Sequence, residues 1–310
     1  MSAYKFVEAA FTGQNQTWRY LLSLFLTTLF TLLGVLLLVG AALVVFLMVA
    51  GEYGLRDYSD SAKFFETEYG DLILLVLFLI SVFLLAPATM LAIRIAHRRP
   101  ASSLFLRDRA FRWGLFAKSI GAGLAGFAAV SAIYALCSPG EIEIVKDPAK
   151  YLPFVLVVAL LMPLQAFGEE VLFRGYLLQG VAWFSARWGI RLAVPAVLFT
   201  MAHLPGLDKF VQGTGYVGYV FAYAVTAFYL TWLAIRTDGI EQCWGLHIAN
   251  NFIALLILSD ETSLVWWPTL FYEHDAVPEV TPLLVIGAFA VHYWLAVRPA
   301  FPGLRSPDAG

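Results

Sequence analysis

The chain has 310 residues, 60% of them hydrophobic and 14% charged, with a formal net charge of −2. A soluble domain is about 45–50% apolar and about 25% charged, so this chain lacks the residues for a hydrated surface, and the bilayer is its solvent. The near-neutral charge excludes a polybasic nucleic-acid surface.

Residues 1–18 carry Phe6, Val7, Phe11 and Trp18 and predict a short interfacial helix. The apolar run 20–50 is too long for the h-region of a cleavable signal, about 7–15 residues, and long enough to span with tilt. Spans two and three are 72–96 and 113–137, and the fourth, 151–167, runs straight into GEEVLFRGYLL at 168–178. Residues 172–188 predict a further helix, broken or lying at the interface. The stretch 192–204 is short, with Pro195 pre-setting its first turn. Runs at 216–235, 240–258 and 282–297 complete an all-α polytopic membrane protein of about eight transmembrane helices. Cys137 and Cys243 lie far apart in apolar stretches and read as small buried hydrophobes, not as a disulfide framework or a metal pair.

Loop charge sets the orientation. Arg98, Arg99, Arg107, Arg109, Arg112 and Lys118 share one side with Arg187, Arg191, Arg236, Arg298 and Arg305; the acidic loops 52–71, 141–147 and 260–279 fall on the other. Both termini are therefore expected in the cytoplasm, with the chain in the inner cell membrane. Trp266, Trp267, Phe271 and Tyr272 read as an aromatic belt at the outer interface.

Ionisable groups inside spans cost about 2.5–3.5 kcal/mol each on insertion scales, so they mark candidate sites. Glu170 and Arg174 are four apart and share a helical face, where they neutralise each other. Glu169 points about 100° away with no local partner, which suits a general base; a polar clamp between helices is the alternative. In FTMAHLP, Phe199 and His203 share a face, and in HIANN, His247 and Asn251 do, with Asn250 pointing elsewhere. His203 reads as a catalytic or a structural donor. His247 and Asn251 read as a donor pair for an oxyanion or as glue between helices. The rise along the helix puts His247 about 10 Å deep and His203 about 18 Å deep, a mismatch between the two. His97, His274 and His292 read as structural or solvated. A base, a histidine and a donor pair on three segments are the parts of an amide hydrolase.

These three motifs, EExxxR, FxxxH and HxxxN, resemble the CAAX-protease and bacteriocin-processing (Abi) family over about residues 150–258. This family includes the type II CAAX prenyl endopeptidases, intramembrane proteases of helical fold. The resemblance implies that Glu169 and His203 activate water, that His247 and Asn251 form the oxyanion hole, and that Glu170, Arg174 and Phe199 support them. It divides the chain into an N-terminal membrane region, 1–150, with the interfacial helix and about three spans; a catalytic core, 151–258; and an outer loop, last span and cytoplasmic tail, 259–310. The expected function is hydrolysis of a peptide bond in a membrane-associated substrate, a prenylated CAAX or leader peptide. The alternatives are a non-catalytic bacteriocin-immunity or scaffold protein, and a proton-coupled transporter, against which no repeated, interrupted helices are seen. No cofactor is favoured. Zinc on Glu169, His203 and His247 is the alternative, although HExxH is absent. The expected partners are that peptide substrate and the lipid bilayer, and no nucleic acid.

Overall fold

The computed structural model describes residues 5–53, 68–106, 110–137, 142–144, 148–205, 213–260, 271–273 and 280–301. Every span read from the sequence corresponds to a helix. In chain order they are α1 (Thr17–Tyr53), α2 (Glu68–Phe83), α3 (Leu85–Ala96), α4 (Trp113–Cys137), α5 (Pro148–Glu170), α6 (Leu178–Phe184), α7 (Trp188–Ala202), α8 (Gly213–Arg236), α9 (Glu241–Phe252) and α10 (Thr281–His292). Among the described residues, six helical stretches are long and apolar enough to cross a membrane. The other two are short. Helix α7 has 15 residues and α9 has 12, the latter prolonged by a π segment, Ile253–Ile257. The chain is a multi-pass membrane protein. Its lipid-facing composition is plain in α1, where Leu36, Leu37 and Met48 are exposed.

Two boundaries differ from expectation. The stretch after Glu170 is not a separate interfacial helix: a π segment, Val171–Leu177, joins α5 directly to α6, so the apolar helix runs unbroken from Tyr151 to Phe184. Arg174 does not stop it because its charge is met inside the protein by Glu170. Helix α7 starts at Trp188, so Pro195 lies within it and not in its first turn. Pro195 is buried, and a membrane helix tolerates the missing N–H where neighbouring helices surround it.

Helices α9 and α10 pack on α4, α2 on α5, α1 on α3 and α7 on α8. Close approach fixes the α4–α9 crossing. A Cβ on Gly245 would lie 2.6 Å from the Phe116 carbonyl oxygen and 2.8 Å from the Ser119 Cβ, so only glycine lets these backbones meet. A small sheet of order β1-β3-β2, unforeseen in the sequence, joins β1 (Ile142–Ile144), β2 (Leu258–Asp260) and β3 (Phe271–Glu273). Phe271 and Tyr272 of the expected belt belong to β3; Trp266, Trp267 and His274 lie outside the described residues.

At the N-terminus a 3-10 turn, Val7–Thr12, faces inward: Phe6 and Val7 are wholly buried, while Phe11 and Trp18 are exposed. The Phe6 N–H donates to Asp238 Oδ1 at 2.6 Å. His97 is also buried. It bridges the Gln14 carbonyl, 2.8 Å from Nδ1, and the Tyr176 hydroxyl, 3.2 Å from Nε2. His292 is wholly buried between Ser119, 2.7 Å from Nε2, and Tyr229, 3.1 Å from Nδ1. Cys243 is buried and Cys137 exposed.

Candidate active site

The last turn of α5 and the middle of α9 face each other. Glu170 is fully buried and its Oε1 accepts from two groups: Arg174 Nη1 at 2.9 Å and His247 Nδ1 at 2.7 Å. The i,i+4 spacing of Glu170 and Arg174 makes the first contact a local one; the second crosses between helices. A carboxylate can only accept, so the His247 Nδ1 carries the hydrogen, and Nε2 is the nitrogen left to face Glu169. That nitrogen lies 3.3 Å from Glu169 Oε2, an ion-pair distance without hydrogen-bond alignment.

Glu169 is 8% exposed. The charge pattern offers it no local partner, yet Gln165, one helical turn earlier, donates from Nε2 to Glu169 Oε1 at 2.9 Å. The Oε2 atom has no hydrogen bond and is buried. Gln165 also accepts from Asn251 Nδ2 at 3.2 Å, so one amide ties the α5 carboxylate to the α9 asparagine. Asn250 does not point elsewhere: its Nδ2 donates to Asn251 Oδ1 at 2.9 Å.

His203 caps the C-terminus of α7. Its Nδ1 lies 2.8 Å from the Phe199 carbonyl oxygen, which can only accept, so its Nε2 carries the lone pair. The ring lies 4.4 Å from Phe199 and 4.9 Å from Tyr223, centroid to centroid. Phe199 is the hub: the Arg174 guanidinium sits 4.4 Å over its ring, and the His247 ring lies 5.9 Å away. Through it, histidines that helical rise assigned to different depths come to one place. Both line a cavity of about 230 Å³ together with Asn250, Asn251 and Tyr223. Glu169 is not a wall residue and meets the cavity through His247.

All four residues expected to be catalytic, and their three supporters, therefore gather at one place. Three residues of the site escaped the sequence reading. Gln165 had a usable signal, being a polar side chain one turn from Glu169 in an apolar run. Asn250 was set aside by helical geometry, although a cavity that wraps a helix end admits neighbouring residues. Tyr223 comes from a span with no motif. Glu169, His203 and His247 do not form a group of three placed to hold one metal ion; among the described residues no such group of His, Cys, Asp or Glu exists.

Residues 150–253 match the family model described as type II CAAX prenyl endopeptidase Rce1-like. The chain is also 26% identical over 187 residues to the Bacillus subtilis protein YyaK, described as uncharacterized, covering 60% of this chain and 62% of that one. The chain thus spans under two thirds of this relative's length. No solved structure matches. Glu169, Glu170, Arg174, His203, His247 and Asn251 all fall inside residues 150–253, the stretch over which this chain is similar to the Rce1-like type II CAAX prenyl endopeptidase family.

Proposed function

We propose that this domain is an intramembrane endopeptidase. Glu169 and the lone pair of His203 Nε2 activate a water molecule, which adds to the carbonyl carbon of a peptide bond. His247, carrying a hydrogen on both ring nitrogens, donates from Nε2, and Asn251 donates the second N–H of its amide, to hold the resulting oxyanion. The C–N bond then breaks, the proton taken from water passes to the leaving amine, and a carboxylic acid and an amine are released. Glu170 and Arg174 orient His247. The observation that carries this reading is the buried, hydrogen-bond-free Glu169 Oε2 beside His247 Nε2, at the edge of a cavity shared with His203 and Asn251. A carboxylate that keeps a free lone pair in so apolar a setting is costly to maintain and is placed to accept a proton. Its substrate is a membrane-associated peptide, of CAAX or leader type, reached from the bilayer. In this reading the water is activated without a metal, and chelation should leave activity intact.

The test is cleavage by protein in lipid vesicles, read by mass spectrometry. Wild type and Glu169→Gln are incubated with farnesylated and unmodified CAAX peptides and with a membrane-derived peptide pool. New peptides from the wild type alone support the proposal. No products from a folded wild type would sink it and favour a scaffold or immunity role.

A further inference from the structure

Resting on that reading, we infer that Tyr223 is the positioning residue for His203: its ring, carried on α8, fixes where the imidazole stands relative to Glu169 and His247. His203 directly follows the last residue of α7 and is half-buried. A side chain at a helix end keeps rotamer freedom unless something outside the helix holds it. The hydrogen bond of His203 runs to the Phe199 carbonyl of its own helix, and the Phe199 ring supplies one of its ring contacts. Both of these move with α7. Tyr223 is the ring that reaches the imidazole from a different helix outside the ion-pair cluster, at 4.9 Å between centroids and 30° between planes. The contact is made by the ring face, which a phenylalanine would keep.

Helix α8 is itself tied to the other half of the site. Tyr223 and Ala227 are four apart and share a face. The Ala227 carbonyl accepts from Arg174 Nη2 at 3.5 Å. Arg174 in turn holds Glu170, which holds His247. One helix therefore gauges His203 against the buried ion pair. Glu169 lies within electrostatic reach of Tyr223, and both histidines line the cavity beside it. Without the ring, His203 would be free to turn about its side-chain bonds while Glu170 and His247 stay in place. A displacement of about 1 Å at a reacting group can cost about 100-fold in rate.

The experiment uses the full chain in nanodiscs of phosphatidylethanolamine and phosphatidylglycerol, with farnesylated and unmodified CAAX peptides as substrates. Tyr223→Leu should lower kcat about 10- to 100-fold with little change in KM. Tyr223→Phe, which keeps the ring, should stay close to wild type. Thermal midpoints of both variants should lie near wild type, so a loss of fold would not divide them in this way. Tyr223→Met is the second variant should Tyr223→Leu fail to fold. A readout without turnover comes from nuclear magnetic resonance of isotope-labelled imidazoles. The chain has five histidines, and His203→Gln identifies the His203 signal. That signal should keep its place in Tyr223→Phe and shift in Tyr223→Leu, where the ring current is lost. Tyr223→Phe as slow as Tyr223→Leu, or a His203 signal that Tyr223→Leu leaves in place, would overturn the assignment alone. No cleavage by folded wild type would overturn the catalytic role together with the peptidase reading, and the His203 signal tells that outcome from a failure of the contact itself.

Discussion

Glu170 Oε1 accepts from an arginine and a histidine at once, and the two glutamates of the EE pair consequently have different duties. Glu170 has no exposed surface, and its partner Arg174 has none either. Replacing one member of such a pair strands the other charge and costs about 3–5 kcal/mol. Glu170→Gln should therefore lower the thermal midpoint in detergent sharply, along with activity. Glu169 has an amide and a histidine as neighbours, not a buried arginine, so Glu169→Gln should melt close to wild type while peptide cleavage falls about 10²–10⁴-fold, the usual contribution of a positioned base. Equal melting losses in both variants would erase the distinction. Gln165 is the sharper case. Gln165→Leu keeps the volume but removes two hydrogen bonds, each worth about 1 kcal/mol, freeing Glu169 and Asn251 to move. The expected outcome is a loss of about 10-fold in kcat with little change in KM, measured on the same peptide. The acid pair and its arginine could be read from the sequence because their partnership is local, at i and i+4. The His247–Glu170 bond could not, because 77 residues separate its ends and no periodicity reports that.

At the scale of elements, polar residues in this chain are placed where helices touch. The Gly245 crossing brings α9 against α4 and so sets where His247 and Asn251 point. Gly245→Val would press on the Phe116 carbonyl and Ser119 and should destabilise by about 1–3 kcal/mol, the usual cost of overpacking. Gly114, with nothing within 4 Å of an added Cβ, is the control, and Gly114→Ala should be neutral. The turn after α3 makes a pH-dependent prediction. Burial, helped by Arg99 and Arg19 and opposed by the Gln14 carbonyl, pushes His97 from 6.5 down to about 4. As pH falls from about 6.5 towards 4, the unfolded chain takes up a proton that the folded chain refuses, so stability falls through that window and is constant above it. Thermal midpoints at pH 7 and pH 4.5 should differ more for wild type than for His97→Phe; identical differences would remove His97 as the cause. Hydropathy alone locates the spans, since each is a run that lipid requires to be helical. It misses the continuation through Arg174, because a window scores that charge without seeing Glu170, and it reads His97 as a loop residue because Gln14 and Tyr176 lie far away in sequence.

For the whole molecule, the matched third of the chain holds the groups proposed to react and part of the cavity wall, and the remainder supplies the rest of the wall and the anchoring. Helices α4 and α10 close the cavity, and the buried N-terminal turn ties Asp238, at the end of α8, to the chain start. The expected orientation can be tested through parity. Six long helices, together with α7 and the 241–257 segment, make eight crossings if both short pieces traverse the bilayer. At about 1.5 Å per residue these two reach roughly 22 and 25 Å, short of a core of about 30 Å, so they cross only where the membrane thins or where their ends sit inside the protein. Both ends of α9 meet this condition: Glu241 is buried at one end and Leu256 near the other. An even number of crossings would put the termini on one side, and the arginines at 94, 98, 99, 112, 187, 191, 236 and 298 make the cytoplasm the side expected for them. Single cysteines at Ser2 and Gly310, introduced after Cys137 and Cys243 are replaced by serine and alanine, should both resist a membrane-impermeant thiol reagent in intact cells and react once the membrane is opened. A cysteine replacing Ser259, in β2, should label from outside. Opposite labelling of the two termini would mean that one short helix turns back within the membrane.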